Sequence, residues 1–144
     1  MDILSAGAKA RNIFDRSCRP LCKKYGINQT GMDVIMFLAS HPEFNTARDI
    51  CNHQGLKSGL TSVVLEQLLH KGLLVRTDDP WDGRVKRLSL TEEAQPIVDE
   101  GTVLQKSFMD QLGDGIDSTE FDRFWVLVER LIVNIEEMDK ESRK

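Results

Sequence analysis

The sequence lacks the features of secreted, membrane-spanning and catalytic proteins. Three cysteines in 144 residues form no disulfide framework, and the N-terminal Met1–Ser5 segment lacks the basic start and apolar stretch of a signal peptide. No apolar run approaches the roughly 20 residues that a transmembrane helix needs. Glycine-rich phosphate loops, nucleophile elbows and zinc-protease motifs are also missing. We therefore expect a cytoplasmic protein that is not an enzyme, has no membrane partner and needs no cofactor or metal.

The net charge of −4 conceals an uneven distribution of charge along the chain. Residues 1–44 carry six basic and four acidic side chains, and residues 45–90 carry seven and five. Residues 91–144 carry six basic and fourteen acidic side chains. The acidic excess therefore belongs to the C-terminal third, and the first 90 residues keep a modest positive excess that is compatible with a nucleic-acid partner.

Hydrophobic periodicity and capping residues predict a mainly helical chain of one domain. The first helix covers residues 2–24, and Pro20 is expected to kink it or split off its final turn. The second begins after an Asn28 cap and stops at His41–Pro42. The other helices are expected at residues 46–52, at 56–71, from a Thr91 cap to the glycines at 113 and 115, and from an Asp117–Glu120 capping box to Met138.

Residues 56–91 carry the strongest functional pattern. Thr61, Val64, Leu65 and Leu68 recur at helical spacing and should face the core, which leaves Lys57, Ser58 and Ser62 pointing outward. Two short strands follow within residues 72–91, joined by a turn-rich loop with basic residues on the loop and its exit. A short helix followed by a basic hairpin is the layout of a winged helix-turn-helix. In that fold the helix reads the DNA major groove, and the hairpin, or wing, reaches the neighbouring backbone or minor groove.

The wing has the pattern G-L-[apolar]-x-R, then D-P-x-D-x-R, then [apolar]-x-L-T. Its fixed positions are Gly72, Leu73, Arg76, Asp79, Pro80, Asp82, Arg84, Leu88, Leu90 and Thr91. This pattern resembles the wing signature of the MarR family of bacterial transcriptional regulators, most sharply from Ile27 to Thr91. Ala94 departs from it, since the family usually has glycine there.

The resemblance implies a winged helix-turn-helix lobe at residues 27–94 and helical dimerisation regions at residues 1–26 and 95–144. It also implies a homodimer that binds a pseudo-palindromic operator as a repressor and is released by a small aromatic or phenolic ligand. The apolar stripe of the last helix and the apolar residues of the first are expected to form the dimer interface. They are Phe121, Phe124, Trp125, Val128, Leu131, Ile132, Ile135 and Met138, with Ile3, Leu4, Ile13 and Phe14.

Within the wing, the resemblance makes Arg84 the expected minor-groove residue. We expect Lys86 and Arg87 to contact DNA as well, although both could instead be solvated positions on an edge strand. Asp82 is expected to orient a nearby arginine, either Arg84 or Arg76, through a charge-assisted hydrogen bond. Trp81 should fold over the loop, with a direct DNA contact as the alternative.

Two further interpretations concern ligands and function. A cleft lined by Phe14, Cys18, Met32 and Met36 is the expected ligand pocket, although the same residues fit an ordinary core. Cys18 and Cys22, four residues apart on a helix, would allow a redox or metal-responsive regulator of the same fold, while Cys51 should pack between the third and fourth helices. The remaining alternative is a winged-helix module that binds proteins and has lost DNA binding.

Overall fold

The computed structural model describes residues 1–144 and confirms a mainly helical fold with one small β-hairpin. Residues 1–106 form one compact unit and residues 107–144 a second. None of the helices is long and apolar enough to cross a bilayer. The elements are α1 Ile3–Tyr25, α2 Gln29–Ser40, α3 Ala47–Gln54, α4 Ser58–His70, β1 Leu74–Asp78, β2 Lys86–Leu90, a 3₁₀ turn Glu92–Ala94, α5 Gln95–Leu112 and α6 Ser118–Ser142.

Local capping explains where the helices of the first unit begin and end. The Asn28 side chain accepts a hydrogen bond from the Gly31 amide, and Thr46 and Asp49 form a reciprocal capping box at the start of α3. Gly26 ends α1 in the left-handed conformation at φ 65°. Pro20 does not split α1, because buried residues on both sides of it hold the last turn in place.

Helix α2 is the centre of the hydrophobic core of residues 1–106. Seven of its twelve residues are buried, and Met32, Val34 and Ile35 are at most 1% exposed. One face of α4 packs into the same core, and Thr61, Val64, Leu65 and Leu68 are all buried, as the periodicity predicts. The buried Thr61 hydroxyl donates to the Lys57 carbonyl (3.1 Å) and accepts from the Cys51 thiol (3.1 Å), which confirms that Cys51 packs between α3 and α4.

The wing is tied to the helices at its base. Strands β1 and β2 pair antiparallel from Leu74 opposite Leu90 to Asp78 opposite Lys86, and the Leu88 amide donates to the Asn45 carbonyl (2.8 Å). The Thr91 hydroxyl donates to the Gly72 carbonyl (2.6 Å). Thr91 is the N-cap residue by position, as predicted, but its side chain makes no capping bond, because the bond to Gly72 turns the hydroxyl toward the wing. The 3₁₀ turn replaces the regular start of α5.

Two helical glycines should respond in opposite ways to alanine. A Cβ at Gly59 would meet no atom within 4 Å, so Gly59→Ala should stabilise the fold by up to about 1 kcal/mol through helix propensity. A Cβ at Gly101 would lie 2.6 Å from Met36 Sδ and 3.3 Å from Met32 Cε, so Gly101→Ala should destabilise it by about 1 kcal/mol or more. Urea unfolding of both variants measures the difference, and equal midpoints would contradict this packing.

Candidate nucleic-acid interface

The outward side of α4 presents the polar residues predicted to face DNA. Ser58 and Ser62 are exposed, and Lys57 is the exposed N-cap residue of the helix, with no side-chain capping bond. These groups can donate hydrogen bonds to phosphates or base edges. Two further residues of the same helix, Leu60 and Val63, are 47% and 56% exposed and were not predicted to face DNA. Their signal in the sequence is that they fall outside the core-facing period.

Asp79 fixes the backbone of the wing loop. One carboxylate oxygen, Oδ2, accepts from the amides of Trp81 (3.0 Å) and Asp82 (2.9 Å). The other, Oδ1, accepts from Arg87 Nε (3.1 Å). The hydrogen bonds from these two backbone amides, together with the bond from Arg87, hold the pKa of Asp79 below its usual range. The loop that carries the predicted DNA contacts is thus a preformed turn.

The Arg84 side chain projects from this loop into solvent, and Asp82 binds the Nε end of its guanidinium group. Its side chain is 92% exposed, while its Nε donates to Asp82 Oδ1 (3.2 Å) and its backbone amide donates to the same oxygen (3.0 Å). Of the two arginines proposed for Asp82, Arg84 is therefore its partner. Arg76 instead forms an ion pair with Glu66, which links β1 to α4.

Lys86 and Arg87 differ in the number and strength of their contacts within the protein. Lys86 forms an exposed ion pair with Asp78, and such pairs are weak enough to exchange for another partner. Arg87 bonds both Asp79 and the Asn45 side chain (Nη1 to Oδ1, 3.1 Å). These bonds join the wing to the segment between α2 and α3, so Arg87 supports the wing whether or not it also contacts DNA.

Trp81, at the tip of the wing, is 94% exposed. The prediction that it folds over the loop is wrong. The carboxylates of Asp79 and Asp82 already fix the turn through backbone hydrogen bonds, so the loop needs no aromatic cover.

The four residues predicted to line a ligand pocket come together in the core of residues 1–106. Cys18, Met32 and Met36 are 0%, 1% and 8% exposed, and Phe14 packs against them half-buried. Desolvation by burial raises the pKa of the Cys18 and Cys22 thiols, which keeps them protonated at neutral pH. A protonated thiol is a poor nucleophile and metal ligand, so the redox and metal alternatives gain no support here.

The second unit has a large exposed apolar surface. Helix α6 has no buried residue, and Leu131, Ile135 and Met138 are 57%, 61% and 68% exposed. Its first turns and the end of α5 line an apolar groove of about 550 Å³ that is open to solvent. The groove is lined by Met109, Leu112, Ile116, Phe121, Phe124, Trp125 and Val128. A surface of this kind is typical of an interface with another chain.

Comparison with known proteins shows a similarity to one family. A sequence profile described as the MarR family matches residues 25–85. The structure is similar to that of MarR from Oenococcus oeni, with 25% identity over 91% of this chain and 98% of that one and a TM-score of 0.69. CouR from Rhodococcus jostii, solved with p-coumaroyl-CoA, has 20% identity over 90% of this chain and 87% of that one, at a TM-score of 0.70.

A mutant of MepR from S. aureus, solved with an oligodeoxyribonucleotide, has 18% identity over 91% of this chain and 93% of that one, at a TM-score of 0.59. The profile match covers α2, α3, α4, β1 and the wing loop with Arg84, and it ends just before β2, which carries Lys86 and Arg87. With its wing signature folded as a hairpin next to α4, this chain is similar to the MarR family of transcriptional regulators over residues 25–85, and its fold is that of solved MarR regulators.

Proposed function

We propose that the protein is a repressor that binds a pseudo-palindromic operator as a two-fold dimer in the cytoplasm. Residues 27–94 form its DNA-binding lobe, and residues 1–26 and 95–144 provide the dimer contacts. The observation that carries the proposal is Arg84, 92% exposed on a preformed loop and aimed by Asp82. A similar protein, the MepR mutant, is solved with an oligodeoxyribonucleotide, which supports the same class of partner.

Each DNA-facing element has its own part in the proposal. Helix α4 enters the major groove with Ser58 and Ser62 at base edges and Lys57 at a phosphate. The wing places Arg84 in the adjacent minor groove. Lys86 exchanges its ion pair with Asp78 for one with a DNA phosphate. Arg87 keeps its hydrogen bonds to Asp79 and Asn45 and so positions the wing. A contact with DNA is its second predicted role. Arg76 fixes β1 against Glu66 of α4.

We further propose that a small aromatic or phenolic ligand releases the protein from DNA. CouR, which has a similar fold, is solved with p-coumaroyl-CoA, a ligand that carries a phenolic group. Phe14, Cys18, Met32 and Met36 remain our candidates for the pocket. Because Met32 and Met36 are buried, entry of a ligand requires these flexible side chains to move, and their movement would disturb the core between α2 and α5.

Titration of labelled duplexes tests the proposal. We expect the protein to bind random duplex DNA at low salt and to select an inverted repeat from a random pool, because phosphate contacts give sequence-independent affinity and α4 adds preference. A panel of phenolic compounds added to the selected complex should release DNA. Failure to bind any duplex at low salt would overturn DNA binding and favour a protein-interaction module. Binding that no compound weakens would overturn only the proposed ligand control.

A further inference from the structure

The face of α4 directly opposite the core carries an exposed valine midway along the helix. An α-helix turns by 100° per residue, and the buried Thr61, Val64, Leu65 and Leu68 define the inward side. The exposed residues on the opposite side are Gly59, Ser62, Val63, Glu66, Gln67 and His70. Val63 is 56% exposed at the middle of this side, and Leu60, 47% exposed, lies at its edge.

The charged group on this face is already engaged. Glu66 forms an ion pair with Arg76 of β1, and it carries no donor. The face has no arginine, lysine or asparagine, and Gln67, one turn after Val63, is its one amide side chain that can hydrogen-bond adenine in the major groove. Direct readout by Val63 must therefore use an apolar contact, since valine has no hydrogen-bonding group in its side chain.

One feature of the major groove is apolar, the C5-methyl group of thymine. Val63 offers a branched aliphatic side chain at the right place on the helix to cover such a methyl group. Gly59, one turn earlier on the same face, has no Cβ and has open space around it. The missing side chain lets the backbone of α4 come close to the floor of the groove, which a short side chain such as valine needs to reach a base.

We propose that Val63, with Leu60 beside it, reads thymine methyl groups in each half of the operator. This inference rests on the proposed function, because it requires α4 to lie in the major groove. It defines the half-site by chemical class: at least one thymine whose methyl group packs against Val63. Ser62 supplies the neighbouring polar contact, and the wing binds without regard to that base.

Replacement of thymine by deoxyuridine tests the proposal, because it removes the methyl group and keeps the base pair. In the selected operator, each thymine is replaced in turn, symmetrically in both half-sites, and affinity is measured for each duplex. We expect one symmetric pair of replacements to weaken wild-type binding by roughly fifteenfold. This corresponds to roughly fourfold for each buried methyl group.

The variant Val63→Ala tests whether Val63 is the side chain that contacts the thymine methyl group. It should bind the thymine operator more weakly than wild type and should lose most of the discrimination between thymine and deoxyuridine at that position. The matched control is Val75→Ala, which truncates a valine that is 47% exposed on β1. That variant should retain the full discrimination between the two duplexes.

The outcomes separate this inference from the proposed function. If wild type binds the operator but tolerates deoxyuridine at every position, methyl readout is overturned and DNA binding stands. If Val63→Ala discriminates as well as wild type does, Val63 is not the reader and the inference falls in the same way. If no duplex is bound at low salt, both the proposed function and this inference fail.

Discussion

Arg84→Ala is expected to weaken binding to every duplex, selected or scrambled, by tenfold or more. A charge-assisted hydrogen bond contributes about 1.5–3 kcal/mol, and a two-fold dimer loses two of them. Because a minor-groove or phosphate contact carries charge more than base identity, the preference for the operator should change little. Titrations of both duplexes at two salt concentrations measure the affinity and its salt dependence, which should become less steep.

Two further variants serve as controls for the Arg84→Ala titration. Lys140→Ala removes one positive charge from the last turn of α6 and should leave DNA affinity nearly unchanged. Arg84→Lys keeps the charge but loses the planar guanidinium, so an intermediate affinity indicates a groove contact and full affinity a simple phosphate contact. Arg84→Ala protein that binds both duplexes like wild type would show that Arg84 does not contact DNA and would remove the observation on which the proposed function rests.

Leu131→Asp is expected to abolish dimerisation and yield monomers or insoluble protein. Leu131 is 57% exposed in the isolated chain, on the continuous apolar stripe of α6. Burying a leucine contributes about 1.5–3 kcal/mol, and a two-fold interface buries it twice, so the dissociation constant should rise by roughly a thousandfold or more. Sedimentation at micromolar concentration distinguishes dimer from monomer.

Val133→Asp is the matched control for this variant. Val133 is 55% exposed on the same helix but lies outside the stripe, so its replacement should leave the dimer intact. Ile135→Asp, within the stripe, should behave like Leu131→Asp. A wild-type chain that sediments as a monomer at micromolar concentration would refute the proposed dimer.

Helix α4 and the wing could be predicted because their signals are local. The period of Thr61, Val64, Leu65 and Leu68 is enough to define the buried face of α4, and all four residues are buried. Gly72, at φ 72°, and the Asp79 turn mark where the hairpin begins and reverses. Helix ends were less exact, because α3 continues to the glycine at 55 and α6 continues past Met138, where neither proline nor glycine stops it.

Side-chain partners on different elements could not be predicted in the same way. Arg76 and Arg84 were equal candidates for Asp82, and the decision depends on Glu66 of α4 being close enough to take Arg76. The Thr91 hydroxyl is withdrawn from its helix by the Gly72 carbonyl, nineteen residues earlier in the chain. Such competition between possible partners depends on the folded arrangement of the strands and helices.

The exposed position of Trp81 gives the wing its own optical signal. The chain has two tryptophans, one at the wing tip and Trp125 in the aromatic cluster of residues 107–144. An indole in water emits at longer wavelength than one packed among rings, so Trp81 is expected to contribute most at the long-wavelength edge of the emission. The Trp125→Phe protein would then report on the wing alone, and the emission of Trp81 would follow each encounter of the wing with DNA without any attached dye.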